Sequence, residues 1–156
     1  MTIPLTRTEV ERQTVWQRFA VPFEFPVVFT ESLFAPENPA LRDAVARLEP
    51  ARRHRLIVFV DDGLAASRPE LVDQVQAYAD HHAANLELVC KPVLVPGGEK
   101  IKADLHFIES IQQSLFDFHI DRHSCVVAIG GGAVLDAVGL VSATTHRGIR
   151  HVRVPT

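Results

Sequence analysis

Two runs of consecutive apolar residues constrain this chain most: Leu56-Ile57-Val58-Phe59-Val60 and Cys125-Val126-Val127-Ala128-Ile129. Neither run alternates apolar with polar residues, so neither strand can keep one face in water. Such strands belong in a parallel sheet covered on both sides. Each run ends in a turn, Asp61-Asp62-Gly63 after the first and Gly130-Gly131-Gly132 after the second. Around them, apolar residues recur at helical spacing. Leu41, Val45 and Leu48 mark a helix over 40–48, opened by Asn38-Pro39 in cap-and-proline style. Ser67-Arg68-Pro69-Glu70 opens a second helix, which Leu71, Val72, Val75 and Tyr78 carry to about residue 84. Leu105, Ile108, Ile111, Leu115 and Phe118 mark a third over 101–118, and a small-residue helix follows over 133–145. Further strands are expected at 86–90 and 151–154. Another is expected at Phe25-Pro26-Val27-Val28-Phe29, with 14–21 as its partner, at a sheet edge because of Pro22 and Pro26. This alternation predicts an α/β, Rossmann-like fold: a mainly parallel sheet with flanking helices. Residues 1–24 read as an N-terminal extension or edge strand and 25–156 as one α/β domain.

A chain of 156 residues, 47% hydrophobic and 22% charged, can bury a substantial core and is not a disordered or low-complexity polymer. Its formal charge of −3 argues against a nucleic-acid partner, which a basic excess would serve. The least polar long stretch, 125–143, contains Asp136 and four glycines and is no membrane span. The segment Met1-Thr2-Ile3-Pro4-Leu5-Thr6-Arg7 lacks the apolar region of a signal peptide, and a cytoplasmic protein is expected. Cys90 and Cys125 sit in apolar strand-like runs and read as buried free thiols. The eight histidines fit no zinc-ligand spacing; His81-His82, for example, are adjacent and point apart on a helix.

The chemistry concentrates at the turns. A glycine-rich turn after a strand and before a helix lets the backbone approach a phosphate, and the helix N-terminus adds N–H donors and partial positive charge. The same glycines also suit a tight turn that needs only their dihedrals. The spacing is neither G-x-G-x-x-G nor that of a P-loop. Asp136 lies one turn into an otherwise apolar helix, where a carboxylate finds a partner, faces a cavity or stays exposed near the helix N-terminus. Asp61 and Asp62 end a buried strand, where a carboxylate can hold a ribose hydroxyl or simply form a turn. Glu99 and Lys102 stand three apart at a helix start, suited to a ligand or to an ordinary contact within one helix. No nucleophile constellation such as G-x-S-x-G is present.

Taken together, Val127-Ala128-Ile129-Gly130-Gly131-Gly132-Ala133-Val134-Leu135-Asp136-Ala137-Val138-Gly139, then Thr145-His146-Arg147-Gly148-Ile149-Arg150, then Val154-Pro155-Thr156, resemble the 3-dehydroquinate synthase family of sugar phosphate cyclases. Val60-Asp61-Asp62-Gly63 and Gly98-Glu99-x-x-Lys102 stand upstream in the family's order. The resemblance covers about 25–156 and implies the N-terminal, NAD-binding half of that fold. It implies adenosine-side contacts from Asp61, Asp62 and Gly63, and a cofactor loop bearing Glu99 and Lys102. It further implies a pyrophosphate turn at Gly131, Gly132 and Ala133, the nicotinamide end near Asp136, and a closing threonine at Thr156. Arg147 matches a substrate-phosphate ligand that often reaches across a dimer interface, so a homodimer is implied. The implied activity is a carbon–oxygen lyase of the shikimate pathway. It would eliminate phosphate from a phosphorylated sugar acid and close a ring, using NAD and zinc or another divalent metal in the full-length enzyme.

The chain departs from the family in two places. It has Leu135-Asp136 where the family usually has Gly-Asp, and the family's zinc ligands and most substrate lysines fall after Thr156. No catalytic or metal-binding residue is therefore assigned to the chain itself. Ending at the tip of a buried strand suggests a truncated chain without its C-terminal metal-binding domain. Two other readings fit the glycine turn: an iron-containing alcohol or glycerol dehydrogenase, and a non-catalytic nucleotide-binding module.

Overall fold

The structure, a computed structural model, describes residues 14–22 and 24–156. Its centre is a five-stranded sheet of β1 (His54–Asp61), β2 (Leu86–Leu88), β3 (Val93–Val95), β4 (Cys125–Gly130) and β5 (Arg150–Pro155). On one edge of β1 lie β2, beside its first half, and β3, beside its last three residues. On the other edge lies β4, with β5 outside it, and every pairing is parallel. Among the described residues, six α-helices accompany the sheet: α1 (Ala40–Ala46), α2 (Asp62–Ser67), α3 (Leu71–His81), α4 (Lys100–Ala103), α5 (Leu105–Asp117) and α6 (Gly132–Thr144).

The two unbroken apolar runs are β1 and β4, and strand alternation divides their side chains between two cores. Leu56, Val58, Val60, Cys125, Val127 and Ile129 pack with residues of α1, α2 and α3. Ile57, Phe59, Val126 and Ala128 pack with residues of α4, α5 and α6. With both faces covered, a polar residue anywhere in these runs would be buried without water. That cost is why the runs are continuous. Cys125 is wholly enclosed, and burial pushes its thiol up to about 12. Cys90 is half-buried with its pKa also raised by burial, and both thiols are free.

Several boundaries differ from expectation. Phe25–Phe29 forms no strand, and neither does its expected partner at 14–21. Both stretches run irregularly, with Trp16, Phe19, Phe25 and Phe29 exposed. Pro22 and Pro26 lack the N–H a ladder needs, and neither stretch pairs with a neighbouring strand. Residues 1–13 of the expected extension lie outside the described residues. Helix α1 stops at Ala46, so Leu48 is 64% exposed rather than part of the apolar face. The acidic turn after β1 is in fact the start of α2. Ser67 closes that helix, its hydroxyl donating to Leu64 O, rather than opening α3. The third predicted helix divides at Asp104, whose extended backbone and carboxylate, accepting from His106 N at 2.9 Å, restart it as α5. That restart leaves Leu105 on the exposed first turn.

Chain direction places the site. From β1 the chain moves outward to β2 and β3, then returns to lay β4 on the opposite edge of β1. In open parallel sheets, ligands bind at the carboxyl ends of strands where the winding reverses. Here that position is the gap between the ends of β1 and β4. It is flanked by the Asp61-Asp62-Gly63 and Gly130-Gly131-Gly132 turns. No helix among the described residues is long and apolar enough to cross a membrane.

Candidate functional site

The two turns meet closely. The Asp61 carboxylate accepts from Leu64 N at 3.1 Å and so caps α2. A side chain at Gly130 would meet Asp61 at 2.8 Å between Cβ atoms, and Gly130 takes φ +156°, which L-residues rarely adopt. Gly130 is therefore required by the fold. Gly131 and Gly132 differ: a Cβ built on either meets nothing within 4 Å. Their missing side chains leave open space at the N-terminus of α6, where no side chain caps the first amides. Such an open helix start offers N–H donors and partial positive charge to an anion.

The acidic pair and the proline-glycine turn come together too. Asp62 Oδ1 accepts from Gly97 N at 3.1 Å, which ties the end of β1 to the segment carrying Glu99 and Lys102. Glu99 occupies the N-cap position of α4 and is exposed, and Lys102 lies within that four-residue helix. Thr156 N donates to Gly130 O at 3.3 Å, so the last residue lies against the glycine turn. Ala133 is the second residue of α6. Asp61, Asp62, Gly63, Gly131, Gly132, Ala133 and Thr156 thus cluster at one end of the sheet, with the Glu99 turn alongside. Asp61 and Asp62 carry local structure there as well as any ligand contact.

Arg147 stands apart. It follows α6, whose 13 residues put it about 20 Å from the glycine turn at 1.5 Å per residue. Its backbone and that of His146 are left-handed, at φ 65° and 51°, before Gly148 at 106°. The ring of His146 meets Phe116 edge-on at 5.9 Å. The structure does not bring Arg147 to its own chain's glycine turn.

Asp136 finds a partner on the neighbouring strand. Arg153 Nη2 donates to its Oδ1 at 2.8 Å. Arg153 does not stand out in the sequence because it lies inside His151-Val152-Arg153-Val154, which reads only as a strand. With Val152 and Val154 turned toward α1–α3, period-two alternation puts His151 and Arg153 on the α6 side. His151 lies against Gly139 there, and its Nε2 is buried with no hydrogen-bond partner among the described residues. Burial, assisted by the Arg153 charge, lowers its pKa to about 4. The unfolded chain therefore takes up this proton near the ordinary histidine pKa of about 6.5, while the fold resists it until about 4. Stability at this residue is complete above the upper value and declines as pH falls toward the lower one. Thermal melts should show a decline over that window that is shallower in His151→Phe. Equal slopes in the two proteins would contradict the assignment.

A groove of about 940 Å³ lies beside the turn rather than in it, between residues 26–36 and the ends of β4 and β5. No group of three or more metal-ligating side chains lies together among the described residues.

Comparison with known proteins places this arrangement. Residues 92–156 match the family described as 3-dehydroquinate synthase N-terminal. The 3-dehydroquinate synthase of Macrococcus caseolyticus is 47% identical over 64 residues, covering 41% of this chain and 18% of that protein. That of Geobacillus kaustophilus is 34% identical over 102 residues, 65% of this chain and 26% of that protein. The chain thus spans about a quarter or less of these relatives' length. The fold matches the 2-epi-5-epi-valiolone synthase ValA of Streptomyces hygroscopicus subsp. jinggangensis, solved with NAD+ and Zn2+ bound. The TM-score is 0.66 at 24% identity, over 90% of this chain and 35% of that one. It also matches a 2-deoxy-scyllo-inosose synthase complexed with carbaglucose-6-phosphate, NAD+ and Co2+. There the TM-score is 0.52 at 22% identity, over 72% of this chain and 29% of that one. Residues 92–156, which carry the glycine turn, α6 and β5, are thus similar to the N-terminal part of 3-dehydroquinate synthases, the family their motifs resemble.

Proposed function

We propose that this chain forms the NAD-binding part of a 3-dehydroquinate synthase-like sugar phosphate cyclase. The observation that carries the reading is the open, uncapped Gly131-Gly132 turn at the winding reversal between β1 and β4. The residues fit a dinucleotide. Amides at the start of α6 would hold the pyrophosphate, and Asp61 and Asp62 stand where a ribose hydroxyl donates. The Glu99–Lys102 turn is tied beside them through Gly97. NAD, when bound, accepts a hydride from a substrate alcohol and later returns it. The chain's own contribution is to place the cofactor at the sheet's carboxyl end.

The NAD+, Zn2+ and Co2+ named with the solved relatives support a complete enzyme that uses NAD and a divalent metal. Its substrate would be a phosphorylated sugar acid, and the reaction a phosphate elimination followed by ring closure. The described donor set does not fit a metal, so no metal-dependent step is assigned to these residues. The distance between Arg147 and its own glycine turn supports a homodimer in which Arg147 serves the partner's substrate site. The 156-residue chain, given NAD+, zinc and the phosphorylated sugar acid of 3-dehydroquinate synthase, should release no phosphate. Reproducible release by the purified chain would contradict this division of labour. Accumulation of NADH from an alcohol would favour a dehydrogenase.

A further inference from the structure

The two carboxylates at the end of β1 are not equivalent. Register places Val95 opposite Asp61 in the parallel pairing of β1 with β3. The chain therefore leaves β3 beside the acidic pair and turns through Pro96-Gly97-Gly98 to Glu99. Gly98 takes φ +68°, and two adjacent glycines fix little of a turn's shape by themselves. Asp62 supplies a tether, its Oδ1 accepting from Gly97 N at 3.1 Å. Asp61 is placed differently. A Cβ built on Gly97 would lie 2.5 Å from its Oδ2, and one built on Gly130 would lie 2.8 Å from its Cβ. Asp61 thus stands against both turns at the gap, whereas Asp62, exposed as the first residue of α2, spends its carboxylate on the turn that leads to Glu99.

We propose that Asp62 is a positioning residue: it acts through Gly97 to hold Glu99 at the edge of the dinucleotide site and does not itself hold the ribose. The inference rests on the dinucleotide reading above and narrows its ribose contact to Asp61. Charge acts in the opposite direction to this role. Asp62 is an anion beside the place proposed for a pyrophosphate, so removing its charge alone relieves repulsion and favours binding. Asparagine at position 62 discards that charge and keeps an acceptor oxygen for Gly97 N, whereas alanine discards both.

The test is a four-way cycle of NAD+ affinities, measured calorimetrically on the 156-residue chain and its Asp62→Ala, Glu99→Ala and doubly substituted variants. Asp62→Asn is measured alongside, with melting temperatures as a check on folding. Asp62→Ala should weaken binding roughly fivefold and Glu99→Ala at least about threefold, the scale of one hydrogen bond each. The double variant should bind within about twofold of Asp62→Ala, because a turn that is no longer held has no Glu99 contact left to lose. Asp62→Asn should bind within about twofold of the parent or more tightly. In the ligand-free chain, hydrogen exchange at the Gly97 amide should quicken at least about threefold in Asp62→Ala and stay unchanged in Asp62→Asn. Unchanged or tighter binding by Asp62→Ala overturns the proposal, and so does unchanged Gly97 exchange in that variant. Additive losses in the double variant overturn it too, because Asp62 would then touch the ligand itself. So does a silent Glu99→Ala, or an Asp62→Asn as weak as Asp62→Ala. An unsubstituted chain that binds no NAD+ overturns the dinucleotide reading and this inference with it. That outcome differs from binding that is indifferent to Asp62.

Discussion

Gly130→Ala should destabilise the fold by about 2–4 kcal/mol, because two independent penalties coincide. The first is conformational: at φ +156° an L-residue is strained wherever its side chain points. The second is steric: the new methyl would sit 2.8 Å from Asp61 Cβ and 3.3 Å from Val134 Cβ. Asp61 Cβ is fixed by the strand and cannot swing aside like the end of a long side chain. Relief would have to move the Asp61 carboxylate, which caps α2 by accepting from Leu64 N. For a domain of this length, such a loss lowers Tm by roughly 5–15 °C. A melt within about 2 °C of the parent would show that the turn is looser than the structure has it.

Gly132→Val should leave stability nearly unchanged and abolish NAD+ binding. The site has room for the first atom of a side chain, since a Cβ there meets nothing within 4 Å. Valine at the first position of α6 carries no helix-propensity cost relative to the glycine it replaces. If that space is kept clear for a phosphate, branched carbons would stand where phosphate oxygens should meet the α6 amides. Affinity should then fall by at least about a hundredfold, or 2.7 kcal/mol. Retained affinity in a folded variant would make the turn purely structural. Only glycines of the second kind report on a ligand. Replacing Gly130 would confuse lost binding with lost fold.

The parts of the fold that could be read from sequence were those written in burial. Residues 56–60 and 125–129 are apolar at every position because both of their faces are covered, so their type and direction followed from pattern alone. Local chemistry was readable where a side chain capped its own helix only if the apolar pattern changed with it. Asp61 and Asp104 open helices inside stretches read as a turn and as a continuous helix, because a cap is a geometric role that aspartate also fills in loops. Phe25–Phe29 has the composition of a strand, but composition cannot supply a ladder partner, and the structure gives it none. In the site, the glycine turn and the acidic end of β1 were visible as motifs. The division between Gly130, which the fold requires, and Gly131 and Gly132, which it does not, needed coordinates. So did Arg153, whose meaning comes from a contact 17 residues away in sequence.

If the ends of β1 and β4 form a dinucleotide cradle within this chain, the cradle should bind without any further domain. A calorimetric titration of NAD+ into the purified 156-residue protein at low salt measures this directly. Saturable binding with one equivalent of NAD+ per chain is the expected result. A folded chain that gives no saturable heat, and in which equilibrium dialysis also detects no bound NAD+, would show that these turns hold no dinucleotide.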